Sequence, residues 1–329
     1  MPANFDISRF RGLRILVIGD LMVDEYLWGD VDRISPEAPV PVVSVKRESN
    51  RLGGAGNVIG NLSAMGALVY AAGIAGRDRW GDIMLESLAG LGADAGGIVR
   101  TDERPTIRKT RVIAADQQVL RIDREKTTPV PDFILPPIHE FIEKYIPQSD
   151  AVLISDYGKG LISDSLMETV TLLCKKHGKI CIADPKGIDY SRYAGVDLIT
   201  PNKKEAGLAA GVDITDEQAL ERAGKRLLDI VSTKAVLITC GKDGMVLMDD
   251  RMPPVRIKAR ARQVYDVSGA GDTVLAVMGL CAASGATFGD GARLANVAAG
   301  IVVGKIGAAT VSLGELEEAM RLNGTNALP

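Results

Sequence analysis

Short runs of aliphatic and β-branched residues recur along the chain, and segments with helical spacing separate them. The runs are residues 14–18, 68–72, 151–155, 180–183, 197–200 and 235–239. This alternation is typical of βαβ units and predicts an α/β fold with a mostly parallel sheet flanked by helices. Ser163 is expected to cap a helix that stops at Gly178, and Thr215 with Gln218 is expected to form a capping box.

Two segments, 26–46 and 107–124, do not show this alternation of strand and helix patterns. Their apolar residues alternate with a period of two, a turn is expected at 115–117, and neither segment contains a helical pattern of useful length. We predict a single domain over residues 1–329 in which these two insertions form a small antiparallel β lid. An isolated small sheet is marginal in water, so a second copy of the chain is the expected cover, in a homodimer.

The composition of the chain argues against several classes of function. The charge sum is 39 − 42 = −3, so there is no global basic field, and neither nucleic acid nor a membrane is expected as a partner. The four cysteines form no C-x-x-C pair, which argues against a metal or redox motif. Charged residues near the N-terminus exclude a signal-peptide apolar region there, and a cytoplasmic protein is expected. The 36 glycines exceed the usual ~7% share and indicate many tight turns.

Polar residues follow five of the predicted strands. They begin at Gly19, Ser155, Asp184, Thr200 and Thr239. Ligands of open parallel sheets bind outside the carboxyl ends of the strands, so these residues should converge on one crevice. Carboxylates, lysines and bare backbone in one crevice suit a phosphorylated, polyhydroxylated ligand.

The segment 266–273, Asp-Val-Ser-Gly-Ala-Gly-Asp-Thr, precedes a long apolar run. Gly269, Ala270 and Gly271 would leave the first N–H groups of a helix free to form an anion hole. Asp272 in that turn would compete with an anion for the same donors, unless it is a general base that takes a proton from an attacking hydroxyl. An ordinary helix cap would use the same residues, so both interpretations stay open at this point.

Other nucleotide motifs are missing from the sequence. No Gly-Lys pair is followed by Ser or Thr, which excludes a Walker A loop, and the glycines at 53–60 do not have the dinucleotide-binding spacing. The chain has only two histidines, His139 and His177, so it contains no H-x-G-H nucleotidyltransferase motif.

The chain resembles the PfkB, or ribokinase-like, carbohydrate kinases from Ile15 to about Gly307. The resemblance rests on the glycine-rich segments 53–57 and 73–81 and on the 266–273 segment, where Val267 replaces a threonine that is frequent in the family. Within the family it is similar to the kinases of D-glycero-β-D-manno-heptose 7-phosphate, through segments 19–26, 33–41, 108–111 and 155–160. The resemblance implies a ribokinase-like three-layer fold and, without H-x-G-H, a kinase whose nucleotidyl transfer is done by another protein.

The resemblance also implies roles for individual residues. Asp24, with Gly54 and Asn57, would hold sugar hydroxyls, and Asn202 with Glu205 would position the phosphates of ATP and, through water, Mg²⁺. The remaining nucleotide contacts would come from Thr239, Gly241, Gly244 and Asn296. Three of these residues could instead have purely structural roles. Asp24 could cap a turn, Asn202 could cap a helix, and Asn296 could be a core amide whose hydrogen bonds are satisfied within the protein.

The expected reaction is Mg-ATP-dependent phosphorylation of the anomeric hydroxyl of the heptose 7-phosphate, with Asp272 as base, in the synthesis of ADP-heptose for lipopolysaccharide. Lys186 and the basic cluster at residues 104–111 are the candidates for binding the phosphate that the sugar already carries, with Lys186 and Arg104 as the residues to substitute first. The alternatives are a kinase for a ketohexose phosphate or a pentose, and a non-catalytic sugar or nucleotide sensor of the same fold.

Overall fold

The computed structural model describes residues 5–115, 117–250, 252–259, 264–305 and 307–325; Asp116, in the expected turn, lies outside them. The strands are β1 (Arg14–Gly19), β2 (Leu21–Ile34), β3 (Pro41–Gly54), β4 (Leu68–Gly76), β5 (Asp94–Thr101), β6 (Ile107–Ala114), β7 (Gln117–Arg124), β8 (Ala151–Ser155), β9 (Ile180–Asp184), β10 (Leu198–Ile199), β11 (Ala235–Thr239), β12 (Met245–Asp249) and β13 (Val255–Ile257). All six strands predicted from the apolar runs are present, and β4 extends four residues beyond its predicted end.

The helices are α1 (Ala55–Ala64), α2 (Arg79–Gly90), α3 (Pro136–Tyr145), α4 (Asp164–His177), α5 (Lys203–Ala210), α6 (Glu217–Val231), α7 (Ala270–Ala283), α8 (Phe288–Val302) and α9 (Leu313–Thr325). The caps of α4 are the predicted ones: Ser163 accepts from the N–H of Leu166, and Gly178 takes the left-handed conformation. The predicted cap of α6 was wrong by one residue. Asp216, not Thr215, is the N-cap: α6 begins at Glu217, and the Asp216 carboxylate accepts a hydrogen bond from the N–H of Ala219 at 2.7 Å.

The described strands form a large sheet in the order β13-β12-β11-β10-β9-β8-β1-β4-β5. From β11 to β5 all neighbours pair in parallel, and β12 and β13 add an antiparallel edge. Alternate residues of β1 enter two apolar cores, one on each face of the sheet. Ile15 and Val17 pack with α1, α7 and α8, whereas Leu16 and Ile18 pack with α3 and α4. The predicted three-layer α/β architecture is confirmed.

The remaining four strands form a second sheet, in the order β3-β2-β6-β7, which we call the small sheet. It contains both segments that departed from the βαβ pattern. Its two hairpins, β2·β3 and β6·β7, are antiparallel as expected, and a parallel pairing of β2 with β6 joins them. That parallel pairing could not be read from either hairpin alone, since it joins segments about eighty residues apart in the chain.

The carboxyl ends of β1, β8, β9, β10 and β11 lie along one edge of the large sheet, as parallel pairing requires. Chain continuity brings the small sheet to the same edge, because β2 begins two residues after β1 ends. The edge therefore lies between the small sheet and the N-terminus of α7. In the described part of the chain, no helix is both long enough and apolar enough to cross a membrane.

Candidate active site

Helix α7 begins at a turn where the backbone of Gly269 lies close to the side chain of Asn57. Gly269 is its N-cap and has φ +81°, and a Cβ there would collide with the side-chain amide of Asn57. The N–H groups of Gly271 and Asp272 donate to no carbonyl of the described residues, while that of Ala270 is directed at the Val267 carbonyl at 3.3 Å. Two free N–H groups at the positive end of a helix are a suitable anion site. The predicted anion hole thus has its best donors at Gly271 and Asp272 rather than at Ala270.

Asp272 lies in the first turn of α7 and is 3% exposed. One carboxylate oxygen accepts a hydrogen bond from the Tyr157 hydroxyl at 2.6 Å, and the other accepts one from the Asn57 amide at 2.9 Å. Burial raises the pKa of Asp272 to about 6, and the two hydrogen bonds oppose this rise. A carboxylate with a pKa near 6 is ionised at neutral pH and is still basic enough to accept a proton.

Tyr157 is a site residue to which the sequence assigned no role. It follows β8, in the polar strand end that begins at Ser155, and the loop that carries it is fixed by a buried carboxylate. Asp20 accepts hydrogen bonds from the N–H groups of Tyr157 and Lys159, at 2.9 and 3.0 Å. The position after a strand was the available signal, but the direction of the side chain depends on this loop.

Two further carboxylates lie at the edge of the sheet. Asp184, at the end of β9, accepts a hydrogen bond from Thr200 at 3.0 Å, and its pKa is raised well above the usual value by burial and by the charges of Asp272 and Glu205. Glu205 belongs to the capping box that it forms with Asn202 at the start of α5. Asn202 therefore does cap its helix, and the capping box orients the Glu205 carboxylate.

A cavity of about 270 Å³ lies against the other side of the α7 N-terminus. The predicted nucleotide contacts Thr239, Gly241, Gly244 and Asn296 all line it, together with Ala270 and Gly271. Most of the remaining wall is apolar, which suits a flat aromatic ring; it is made by Val264 and Val267 before α7, Val274 on α7, Ala299 on α8 and Val303 just after α8. Asn296 is buried and donates to the Lys258 carbonyl at 2.8 Å, so part of its amide is already satisfied.

The small sheet carries Asp24 to the opposite side of Asp272. Asp24 is 5% exposed, forms an ion pair with Arg111 at 2.5 Å, and lies close enough to Asp272 to raise the pKa of that group. A Cβ on Gly53 would collide with the Asp24 carboxylate, and Gly54 has φ +56° at the start of α1. These two glycines let β3 approach Asp24 and turn directly into the helix that carries Asn57.

The two predicted ligands of the sugar phosphate have other partners. Arg104 donates to the backbone carbonyls of Lys159 and Thr128, at 2.7 and 2.6 Å. The Lys186 ammonium contacts Glu205 at 2.5 Å, on the side of the predicted nucleotide phosphates. Their role in binding the sugar phosphate remains a prediction. Among the described residues, neither side chain forms a hydrogen bond with Asp24.

Comparison with known proteins agrees with this geometry. Residues 13–314 match the model of the pfkB family carbohydrate kinases. The chain belongs to this family. The prediction of an ATP-dependent carbohydrate kinase is thereby confirmed at the level of the family, and the resemblance seen in the glycine-rich and 266–273 segments is confirmed with it.

Several relatives within the family are identical to the chain at about half of the aligned positions. It is 53% identical over 314 residues to the bifunctional protein HldE of Desulfatibacillum aliphaticivorans, covering 95% of this chain and 64% of that protein. It is 47% identical over 304 residues to HldE of Geobacter sulfurreducens, covering 92% and 62%. The chain thus spans somewhat less than two thirds of the length of these relatives.

Solved structures of the family have the same fold. Arabidopsis thaliana ribokinase, complexed with ribose and ATP, aligns with a TM-score of 0.75 at 21% identity, covering 94% of this chain and 99% of that one. The tetrameric inhibited form of Escherichia coli phosphofructokinase-2 aligns with a TM-score of 0.76 at 17% identity, with the same coverage. The ribokinase-like fold expected from the sequence is confirmed.

Proposed function

We propose that the chain transfers the γ-phosphoryl group of ATP to the anomeric hydroxyl of D-glycero-β-D-manno-heptose 7-phosphate, giving the 1,7-bisphosphate. The observation that carries the proposal is the position of Asp272. Its buried carboxylate lies at a helix N-terminus with free N–H groups, between the apolar cavity and the Asp24 side of the small sheet. The heptose is supported by similarity to the HldE proteins and by the segments that resemble heptose 7-phosphate kinases.

In this mechanism Asp272 takes the proton of the acceptor hydroxyl while the hydroxyl oxygen forms a bond to the γ-phosphorus. The bond from that phosphorus to the oxygen bridging the β- and γ-phosphates breaks, and ADP leaves. General-base action of this kind contributes typically ~10²–10⁴-fold. The N–H groups of Gly271 and Asp272 stabilise the charge on the transferring group, at ~10²–10³-fold per donor.

Magnesium fits the carboxylates at this edge of the sheet. Asp184 and Glu205 offer the hard oxygen ligands that Mg²⁺ prefers, and Mg²⁺ usually keeps several waters and uses only one or two carboxylates besides the substrate phosphates. When bound, Mg²⁺ would neutralise charge on the nucleotide phosphates, with Glu205 holding it through water.

The wider setting is also a proposal. The small sheet would act as a lid over the sugar, within a single kinase domain that works as a homodimer in the cytoplasm. The product would enter the synthesis of ADP-heptose for the lipopolysaccharide core. A non-catalytic sensor is disfavoured because a sensor has no need for a buried base with two oriented hydrogen bonds.

An ADP-release assay tests the function. The purified chain receives Mg-ATP with the heptose 7-phosphate, fructose 6-phosphate, ribose or no acceptor. We expect the highest kcat/KM with the heptose 7-phosphate. Asp272→Asn should reduce turnover at least ~10²-fold, because the amide cannot take a proton, while ATP binding measured by calorimetry is retained. Asp229→Asn, exposed on α6, is the matched control and should keep full activity.

The alternatives give distinct results in this assay. A rate of ADP release that stays the same with and without each acceptor would favour the non-catalytic sensor. A higher kcat/KM with fructose 6-phosphate or ribose would keep the kinase and change its acceptor. An Asp272→Asn variant with more than about a tenth of the wild-type rate would contradict the base role.

A further inference from the structure

Lys109 on β6 is a half-buried cation that forms no ion pair with a described carboxylate, although Asp123 lies opposite it on β7. Among the described residues no carboxylate lies within 4 Å of its ammonium group, and no hydrogen bond to that group is formed. Burial lowers the pKa of Lys109, and the nearby Lys159 cation lowers it further, against the opposing effect of Asp123 and Glu125. A half-buried ammonium group is costly unless an anion compensates it.

The alternation of β6 separates the basic residues of this strand between two faces. Lys109 is directly opposite Asp24 in the pairing of β6 with β2, so both side chains project from the same face of the small sheet. Arg108 projects from the other face, where it lies over the Trp80 ring of α2 and 3.7 Å from Glu25. Arg108 is therefore directed away from the sugar side.

Four other cations of the region already have partners. Arg111 shares the face of Lys109, but its guanidinium is paired with Asp24 and stacks on Tyr26. Lys159 forms an ion pair with Glu125 at 2.7 Å. Arg104 and Lys186 have the carbonyl and carboxylate partners described above. Of these cations, Lys109 alone faces the sugar side with no described partner.

Lys109 also lies within electrostatic reach of the base. Its charge lowers the pKa of Asp272, whereas Asp24 raises it. Hence three side chains surround the space between the small sheet and α7: a base, a ligand for sugar hydroxyls and a cation that forms no ion pair with a described residue. A sugar whose reacting hydroxyl lies at Asp272 and whose other hydroxyls lie at Asp24 can present a phosphate group to Lys109.

We propose that Lys109 binds the phosphate group that the acceptor sugar already carries, and that it sets the preference for a sugar phosphate over a free sugar. The proposal rests on the proposed kinase function, and it assigns the role to Lys109 in place of Arg104 and Lys186. The ammonium group would form charge-assisted hydrogen bonds with the phosphate oxygens. The phosphate then supplies a direct ion-pair partner, which no described carboxylate provides.

The test measures kcat/KM of wild type and Lys109→Ala with the heptose 7-phosphate and with the unphosphorylated heptose. Loss of a hydrogen bond to a charged group costs roughly 1.5–3 kcal/mol, or about 10- to 150-fold. We expect a decrease of this size for the phosphorylated sugar only, with an unchanged KM for ATP. Lys109→Arg should restore part of the loss. Lys126→Ala, exposed just beyond β7, is the matched control.

Equal loss for both sugars, or a raised KM for ATP, would overturn the proposal, because Lys109 would then serve the transferred phosphoryl group or the fold. An unaffected Lys109→Ala variant would overturn it as well. Absence of turnover with any sugar would instead contradict the kinase function. Calorimetric titration with the heptose 7-phosphate in the absence of ATP then still tests Lys109, since the variant should bind it at least ~10-fold more weakly than wild type does.

Discussion

At the scale of single residues, the ionisation of Asp272 is the central problem. The carboxylate must be charged to accept a proton, yet it is almost completely buried, and burial raises its pKa. The hydrogen bonds from Tyr157 and Asn57 stabilise the charged form. The base position could be predicted from the 266–273 segment alone. Its partners could not, because they come from β8 and α1, more than a hundred residues away.

Tyr157→Phe should therefore shift the pH dependence of the reaction. With the pKa of Asp272 at about 6, kcat/KM should fall as the pH drops below 6, because the base becomes protonated. Removing a hydrogen bond to a charged group, at roughly 1.5–3 kcal/mol, raises this pKa by about 1–2 units. We expect kcat/KM at pH 6 to fall about 5- to 50-fold, since the ionised fraction of the base falls by that factor, while the value at pH 8.5 changes by less than about threefold.

A pH–rate profile of each variant measures this shift. Tyr145→Phe on α3 is the control. It also removes a hydrogen bond to a carboxylate, but that carboxylate belongs to Asp94 and not to Asp272. A Tyr157→Phe profile that is lowered equally at all pH values would refute the effect on ionisation and indicate a structural defect instead.

At the scale of elements, α7 illustrates how far local sequence signals reach. Gly-Ala-Gly before an apolar run predicted a helix start, and α7 begins at Ala270. The reason for glycine at position 269 is tertiary, however, because a side chain there would meet Asn57 from α1. The capping box of α5 could likewise be predicted as a motif, while the contact of its Glu205 with Lys186 required the arrangement of β9 beside β10.

Gly269→Ala should impair both stability and catalysis. The substitution places a Cβ at φ +81° and against the Asn57 amide that donates to Asp272. Gly285→Ala is a matched control, because Gly285 has φ +84° with nothing within 4 Å of the added Cβ. The left-handed conformation costs about 1–2 kcal/mol in both variants, measured by denaturant unfolding. Only Gly269→Ala should also lose at least about tenfold in kcat, and equal kcat values would contradict the steric role of Asn57.

At the scale of the whole molecule, the small sheet has one face that the described chain covers only in part, because Trp80 of α2 packs on it at Arg108 while the side chains of β7 stay exposed. The face opposite Asp24 and Lys109 brings Leu27, Val112 and Leu120 into one row across β2, β6 and β7. Leu120 is 53% exposed and Ile122 beside it is 48% exposed. The period-two pattern was sufficient to predict these strands. The row became visible only with the parallel register between β2 and β6, which sequence alone does not define.

We expect this face to pair with the same face of a second copy, because a two-fold interface is self-complementary and apolar sheet faces are stabilised by being covered. Light scattering at micromolar concentration should give twice the 34.9 kDa mass of the chain. Leu120→Glu places a charge at the exposed β7 end of the row, where burial in an interface costs several kcal/mol, so it should weaken dimerisation at least ~100-fold and give the monomeric mass. Leu172→Glu, exposed on α4, should remain dimeric. A wild-type chain that scatters as a monomer would refute the interface, and a Leu120→Glu variant that stays dimeric would place it on a different surface.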